Sequence, residues 1–435
     1  MKSRNSAYRV LMLFCSNAVL RLIGFAYRAA LLKSAGSEAM GLYSLVMQIY
    51  AVVSAVCVYG SVPALTALAA RTEGEETRPL LRASVKLLIV LWGFCAAVVM
   101  LFSKGIGAGV MREPELIPSF VPLLACILLT GFENVFKAIH MGKGRFSLCA
   151  FSELAEQCIR FVAVRYLLGA YGGISGREKV RLIICGMLIS ELFSVSVLGI
   201  SFAAICPNKK ASVKYNSEIG KRLRAAAFPS ILTALAGTVF SSAGALLLPG
   251  ALARSGMERE EALSLIGVFN NAALPLVMLP MAFVGAVAAV LSPKVSVLAA
   301  RGNSPEKSVK KALAAAAAAG ALSMLAAIVW GDRLSLKLFG ASCGSSVLCP
   351  LAVFAFAAFL RTVCTASLNG MLMQKNVLYV TILTEAASLV MLLILTPSMG
   401  LAGHAAGLAV CECAGLIICL IILSNKWRRG MANTA

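Results

Sequence analysis

RLIGFAYRAALL, residues 21–32, carries Arg21 and Arg28 seven positions apart in an otherwise apolar stretch. On an α-helix seven residues make nearly two turns, so both guanidiniums project from one face. No acid lies within a helical turn of either, so the helix cannot neutralise them. A guanidinium is a planar fork that engages phosphate oxygens two at a time, and a pair on one stripe is a candidate grip for a pyrophosphate. Arg28, toward the end of the stretch, can alternatively snorkel to a membrane surface; Arg21, about mid-stretch, has no such escape.

Other polar groups interrupt apolar segments. VFNNAALPLVMLP (268–280) offers Asn270 and Asn271, which can hydrogen-bond a substrate or join helices to one another. Gln48 and Arg361 complete the candidate substrate-binding set. Glu133 with Lys137, and Glu156 with Arg160, are four apart in the favourable acid-first order and read as internal ion pairs. Glu153 and Arg165 lie near segment ends and are expected to snorkel. His404 reads as a packed or wetted histidine. Glu191, Glu385 and Glu412 are intramembrane acids to which spacing assigns no partner.

No catalytic constellation accompanies these groups. TEGEE (72–76) and EREEA (258–262), the dense acidic groups, sit among basic neighbours and read as solvated turns. The 14 cysteines are scattered one by one, and CEC (Cys411, Cys413) lacks the partners a zinc site needs. No enzyme activity, metal or cofactor is expected.

The elements that must position these residues follow from composition. The chain has 435 residues, 60% apolar and 14% charged, with mean hydropathy +0.87. Apolar blocks of about 20 residues recur from end to end, each long enough to cross roughly 30 Å of hydrocarbon. About twelve spans are expected, near 10–32, 42–69, 84–103, 118–139, 147–168, 181–205, 224–249, 262–299, 309–330, 345–372, 377–396 and 401–424. Lys and Arg number 40 against 19 acids, a formal charge of +21. The excess gathers in alternate turns and at both termini, which places both ends on the cytoplasmic side of the membrane. The positive charge is thereby explained without nucleic acid, and no aromatic-basic recognition motif is present. The N-terminus reads as an uncleaved first span, because Asn17 and Arg21 interrupt its apolar core.

The chain also repeats itself. PALTALAAR (63–71) recurs as PKVSVLAAR (293–301), and MGKGRFSLCAFSE (141–153) shares spaced residues with MQKNVLYVTILTE (373–385). Both matches have nearly one offset, which spans six helices, so the halves run the same way through the membrane. The expected organisation is a six-helix lobe at 1–206, a basic cytoplasmic linker at 207–223, a second six-helix lobe at 224–425 and a tail at 426–435. A parallel pseudo-two-fold axis and a central cavity would relate the lobes. Pro63, Pro275, Pro280 and Pro293 are expected hinges, with Pro229 and Pro249 as further kinks.

RLIGFAYRAALL followed by GSEAMGLYSLVMQIYAVVSAVCVYGSVPALTALAA (36–70) resembles the opening of polysaccharide flippases related to stage V sporulation protein B. These form a branch of the multidrug/oligosaccharidyl-lipid/polysaccharide (MOP) exporter superfamily. LSLIGVFNNAALPLVMLPMAFVGAVAAVLSPKVSVLAARGN (263–303) and SLNGMLMQKN (367–376) are similar to that family's second lobe. The resemblance implies an all-α, MATE-like pair of six-helix bundles that flips an undecaprenyl-linked sugar by alternating access. Cavity arginines on the first helix would be matched by Arg21 and Arg28. The implied partners are a lipid-linked oligosaccharide with a pyrophosphate headgroup, membrane lipid and a coupling ion, with the chain acting as a monomer. Many relatives carry two further C-terminal helices, whereas about twelve spans are counted here. A cation-coupled multidrug exporter of the same fold is the alternative, although a cationic first helix should repel organic cations. A membrane enzyme acting on lipid-linked sugars is a more distant one.

Overall fold

The structure, a computed structural model, describes residues 2–71, 77–171, 173–205, 213–300, 303–371 and 373–432. TEGEE (72–76) and residues 206–212 of the basic segment therefore lie outside the described residues. Among those described, all regular structure is helical: α1 (Lys2–Ala35), α2 (Ser37–Ser54), α3 (Val62–Arg71), α4 (Thr77–Leu101), α5 (Phe120–Gly142), α6 (Phe146–Ala170), α7 (Gly176–Ile205), α8 (Val213–Ala253), α9 (Arg259–Val268), α10 (Leu274–Val277), α11 (Met281–Ala300), α12 (Glu306–Phe339), α13 (Ser345–Gly370) and α14 (Gln374–Ala432).

Helices end where a residue can take a conformation the helix forbids. Gly36, at φ 90°, separates α1 from α2, and Gly340, at φ 78°, closes α12 in the left-handed region that glycine enters without steric penalty. The expected break near Pro275 and Pro280 is present. A π-helical turn at Phe269–Ala273 leads into the short α10, and the paired segments Arg259–Val277 and Met281–Ser296 are bent by 59°. Prolines elsewhere behave differently. α8 continues through Pro229 and Pro249, and α11 through Pro293. Pro63 stands at the second position of α3, where its missing N–H removes no helical bond, just after a π-helical turn at Ala55–Tyr59.

Eight helices among the described residues are long and apolar enough to cross a membrane, nine if the bent pair is one span. The chain is thus a multi-pass membrane protein. Three features separate that number from the twelve spans expected. α1, expected to span at 10–32, is not among those helices, and its side chains are described only from Val19 onward. α6 carries Glu153, Glu156, Arg160 and Arg165, so it fails on apolarity. α14 enters the number once, yet its 59 residues would measure about 90 Å if straight, three times the hydrocarbon thickness. Its backbone leaves helical geometry at Gly400 (φ 62°, ψ −145°). Close approaches of Gly403 to Leu395, Gly407 to Met391 and Gly415 to Thr384 show two antiparallel arms packed through glycines.

That hairpin gives a sharp expectation. A Cβ on Gly403 would overlap the Leu395 carbonyl oxygen, and backbone cannot move aside as a side chain can. Gly403→Ala should destabilise the protein by about 1–3 kcal/mol, the range for overpacking. Gly285→Ala, where a Cβ meets nothing within 4 Å, should be neutral or slightly stabilising. Thermal unfolding of the two purified variants distinguishes them.

The chain separates into two compact units. One comprises residues 1–27 and 34–242, the other residues 28–33 and 243–435, so the boundary falls inside α8 and a short piece of α1 groups with the second unit. In the first, α7 packs against both α5 and α6. In the second, α13 is central, with α11, α12 and α14 against it. α12 shows how these contacts form in lipid, where apolar surface gains little from meeting apolar surface. Its buried stripe is Ala312, Ala316, Gly320, Ser323, Ala327 and Gly331, small residues that let Phe356, Phe359 and Leu348 of α13 approach closely. Leu322, Leu325, Val329 and Trp330 of α12 are exposed, as a lipid-facing surface requires.

Candidate functional site: paired arginines and buried charge networks

α1 is one continuous helix of 34 residues, and its side chains are described from Val19 onward. Tyr27, Leu31, Leu32 and Ala35 are buried, whereas Arg21 and Arg28 are exposed. Helical phase therefore puts the guanidiniums on the face that the packed residues leave open. Among the described residues no carboxylate pairs with either. If this stretch crosses the membrane as its hydropathy predicts, an exposed, unneutralised guanidinium needs water or an anion beside it. The far end of α1 is anchored by Lys179 of α7, whose Nζ donates to the Ala35 carbonyl at 3.0 Å and caps the helix terminus.

The other candidates are more constrained. Gln48, half-buried on α2, donates from Nε2 to the Ser44 carbonyl at 3.0 Å and keeps its carboxamide oxygen for another donor. Asn270 and Asn271 both fall in the π-helical turn before Pro275. Asn271 is buried and donates to the Gly267 carbonyl at 2.9 Å, while Asn270 is half-buried. π-helical turns recur at functional sites because they release backbone groups from the regular ladder. His404 packs at a tilt against Phe269 of the same turn, with ring centroids 5.5 Å apart, as a packed histidine would.

Arg361 is held rather than open. Its Nε donates to Glu412 Oε1 at 2.5 Å across α13 and α14, and Glu385 of α14 faces the same guanidinium electrostatically. Glu412, without a partner in the sequence reading, thereby has one.

The first unit holds a larger network. Lys137 of α5 reaches Glu133 at 2.7 Å, Glu153 at 3.1 Å and Glu156 at 3.9 Å. Arg160 of α6 pairs with Glu156 on its own helix and with Glu191 of α7 at 3.0 Å, and its Nε donates to Ser190 Oγ at 3.1 Å. Ser194 donates to Glu133 at 2.5 Å and contacts Ser152 at 2.8 Å. Both anticipated i,i+4 pairs are present, but they are parts of one assembly on three helices. Glu153 does not snorkel; it turns inward to Lys137, because an ammonium within reach offers more than a distant surface. Spacing gave Glu191 no partner, because its contact with Arg160 crosses from α6 to α7.

Oxygens of Glu133, Glu156 and Glu191 lie within 4.8 Å of one another, a spacing that would suit a cation. Lys137 and Arg160 already supply positive charge there.

No family model matches the chain. It is 21% identical over 417 residues to stage V sporulation protein B of Bacillus subtilis (strain 168), covering 91% of this chain and 79% of that protein. Among solved structures, an inward-facing multidrug resistance MATE family transporter of the MOP superfamily superposes with a TM-score of 0.75 at 15% identity, covering 96% of each chain. The lipid II flippase MurJ in an inward closed conformation gives the same TM-score at 14% identity, covering 95% of this chain and 87% of that one. The chain has the all-helical membrane fold of the MOP superfamily, and it resembles stage V sporulation protein B over nearly its whole length.

Proposed function

We propose that this protein flips an undecaprenyl-pyrophosphate-linked sugar or peptidoglycan precursor from the inner to the outer leaflet of a bacterial cytoplasmic membrane. The observation that carries the reading is the pair Arg21 and Arg28, exposed on one face of α1 with no carboxylate partner among the described residues. Positive charge without a counterion in an apolar stretch calls for an anionic ligand, and two guanidiniums nearly two turns apart suit a headgroup with two phosphates. The fold shared with a lipid II flippase and the likeness to stage V sporulation protein B support the same substrate class.

In this reading the chain has twelve spans, with both termini in the cytoplasm. Residues 1–206 and 224–425 form the lobes, joined by the basic segment 207–223. α1 captures the headgroup inside a central cavity while the prenyl tail stays in lipid. Gln48, Asn270 and Asn271 contact the sugar or phosphates, and Arg361 contributes when Glu412 releases it. The lobes then rock about the breaks near Pro63, Pro275 and Pro280, and an ion gradient drives the cycle of a monomer. A drug exporter of the same fold is favoured by the buried acids of the first lobe, which could carry a coupling cation. It is opposed by the exposed arginines, which would repel a cationic drug. Depletion in living cells tests the choice: a lipid-linked pyrophosphate intermediate should accumulate on the cytoplasmic leaflet. Unchanged intermediates together with increased sensitivity to cationic dyes would favour the exporter.

A further inference from the structure

The basic ends of α4 and α8 are packed side by side. Gly220 of α8 faces Ala83 of α4: a Cβ on the glycine would stand 3.9 Å from the alanine Cβ and 3.8 Å from the Arg224 guanidinium. Helical phase sorts the side chains around this contact. α4 buries Leu80, Ser84 and Leu88 and leaves Arg82 and Lys86 exposed. α8 buries Ile219, Leu223 and Ala227 and leaves Lys221 and Arg224 exposed. Four cations from two helices therefore flank one helix–helix contact, and none of them pairs with a carboxylate among the described residues. At the basic start of α12, by contrast, an acid is at hand, and Lys310 takes Glu306 at 2.7 Å.

Apolar surface continues directly from these cations. On α8, Lys221 and Arg224 are followed by Phe228 and Leu232, and all four lie within about 80° of one another around the helix axis. On α4, Lys86 is followed by the exposed Ile89, Val90 and Phe94. Phe94 and Phe228 are 67% and 69% exposed, as side chains facing lipid tails are. Orientation in a membrane needs only that charge lie on one side of the spans. It does not call for cations of two helices to meet at the head of two apolar stripes. A charged end with an apolar continuation is complementary to an anionic amphiphile.

We propose that Arg82, Lys86, Lys221 and Arg224 bind the headgroup of an anionic phospholipid whose acyl chains lie along the exposed stripes of α4 and α8. The guanidiniums of Arg82 and Arg224 engage the phosphate oxygens as forks, and the two ammonium groups add attraction without fixed geometry. A lipid with two chains suits the site better than a prenyl pyrophosphate with one, because each helix offers its own apolar stripe. Bound there, the lipid ties α4 to the first half of α8. The assignment of the site to the inner leaflet rests on the orientation proposed above; the site itself does not.

Native mass spectrometry of the purified full-length protein in a neutral detergent, with phosphatidylglycerol and chain-matched phosphatidylcholine as probes, tests the site. Wild type should retain phosphatidylglycerol in preference to phosphatidylcholine. Each basic contact with an anionic headgroup contributes about a fivefold factor in affinity, so Lys86→Gln/Arg224→Gln should weaken phosphatidylglycerol binding about 30-fold. Lys307→Gln/Lys311→Gln, on exposed lysines of α12, should leave it unchanged. Phosphatidylglycerol with a photoreactive acyl chain should label α4 and α8 around Phe94 and Phe228. Equal retention of the two lipids by wild type would overturn the site without requiring any variant to fold. Equal losses in both double variants would reduce the binding to general surface attraction, and labels confined to other helices would put the lipid elsewhere; either result overturns the site. Displacement of phosphatidylglycerol by an equal concentration of prenyl pyrophosphate would make this a dock for that lipid and overturn the resident phospholipid. None of these measurements involves transport, so failure here leaves the flippase reading untouched, and failure of that reading leaves this site standing.

Discussion

With Arg21 and Arg28 both replaced by alanine, flipping of a pyrophosphate-linked sugar should fall by about a hundred- to ten-thousand-fold, while the unfolding temperature stays within a degree or two of wild type. The magnitude follows from charge-assisted hydrogen bonds. Each contact between a charged group and its partner contributes about 1.5–3 kcal/mol, so two lost contacts remove about 3–6 kcal/mol, and a factor of ten corresponds to about 1.4 kcal/mol. Stability is spared because both side chains are exposed and neither has a carboxylate partner among the described residues. Removal of an unpaired charge from the proposed first span relieves a cost rather than creating one. Lysine at both positions should recover only part of the loss, since a point charge keeps the attraction but not the bidentate geometry. Initial rates in proteoliposomes, set beside thermal unfolding of the same preparations, decide whether these arginines act on substrate or on folding.

Arg160→Met should do the opposite and damage the fold. The guanidinium is shared by Glu156 and Glu191, so its removal strands two carboxylates in the interior of the first lobe. Breaking one side of a buried pair costs about 3–5 kcal/mol, chiefly through the uncompensated charge left behind. Two controls identify that cause. The deficit should shrink as the pH falls, since a protonated carboxyl needs no counterion. Adding Glu156→Gln and Glu191→Gln to Arg160→Met should restore most of the lost stability, since what remains is a neutral hydrogen-bonding cluster. Denaturant or thermal unfolding in one detergent across pH measures both. Equal loss at every pH, with no rescue, would assign the effect to packing of the side chain instead.

These contrasting roles show what the sequence could and could not disclose. Hydropathy and the repeat were enough for the membrane class and the all-helical fold, because lipid leaves a backbone few other solutions. The one-sided placement of Arg21 and Arg28 was legible too, being a property of a single helix. So were the two i,i+4 pairs, for the same reason. What eluded the sequence depends on how one helix is rotated against another. Arg361 and Glu412 are 51 residues apart, and Glu191 lies 31 from Arg160; nothing in local spacing signals either contact. Glu153 illustrates the limit well. Its position near the end of α6 suggested a route to water, but an ammonium on α5 stood closer. Breaks in helices divide along the same line. Pro275 and Pro280 sit where the chain bends, but Pro229, Pro249 and Pro293 are passed without interrupting a helix. Proline removes one bond, and whether the helix then ends depends on neighbours that lie elsewhere in the sequence.

The proposed mechanism requires water to reach the stripe of α1 that bears the arginines, and an anionic lipid head to displace that water. Single cysteines at positions 21 and 28, in a background with the 14 native cysteines replaced, test this in native membranes. Both should react with a membrane-impermeant, water-borne thiol reagent, and a prenyl pyrophosphate should protect both while the corresponding neutral prenyl alcohol does not. Failure of either position to react, or reaction that no pyrophosphate lipid slows, would place these residues against acyl chains and contradict the mechanism.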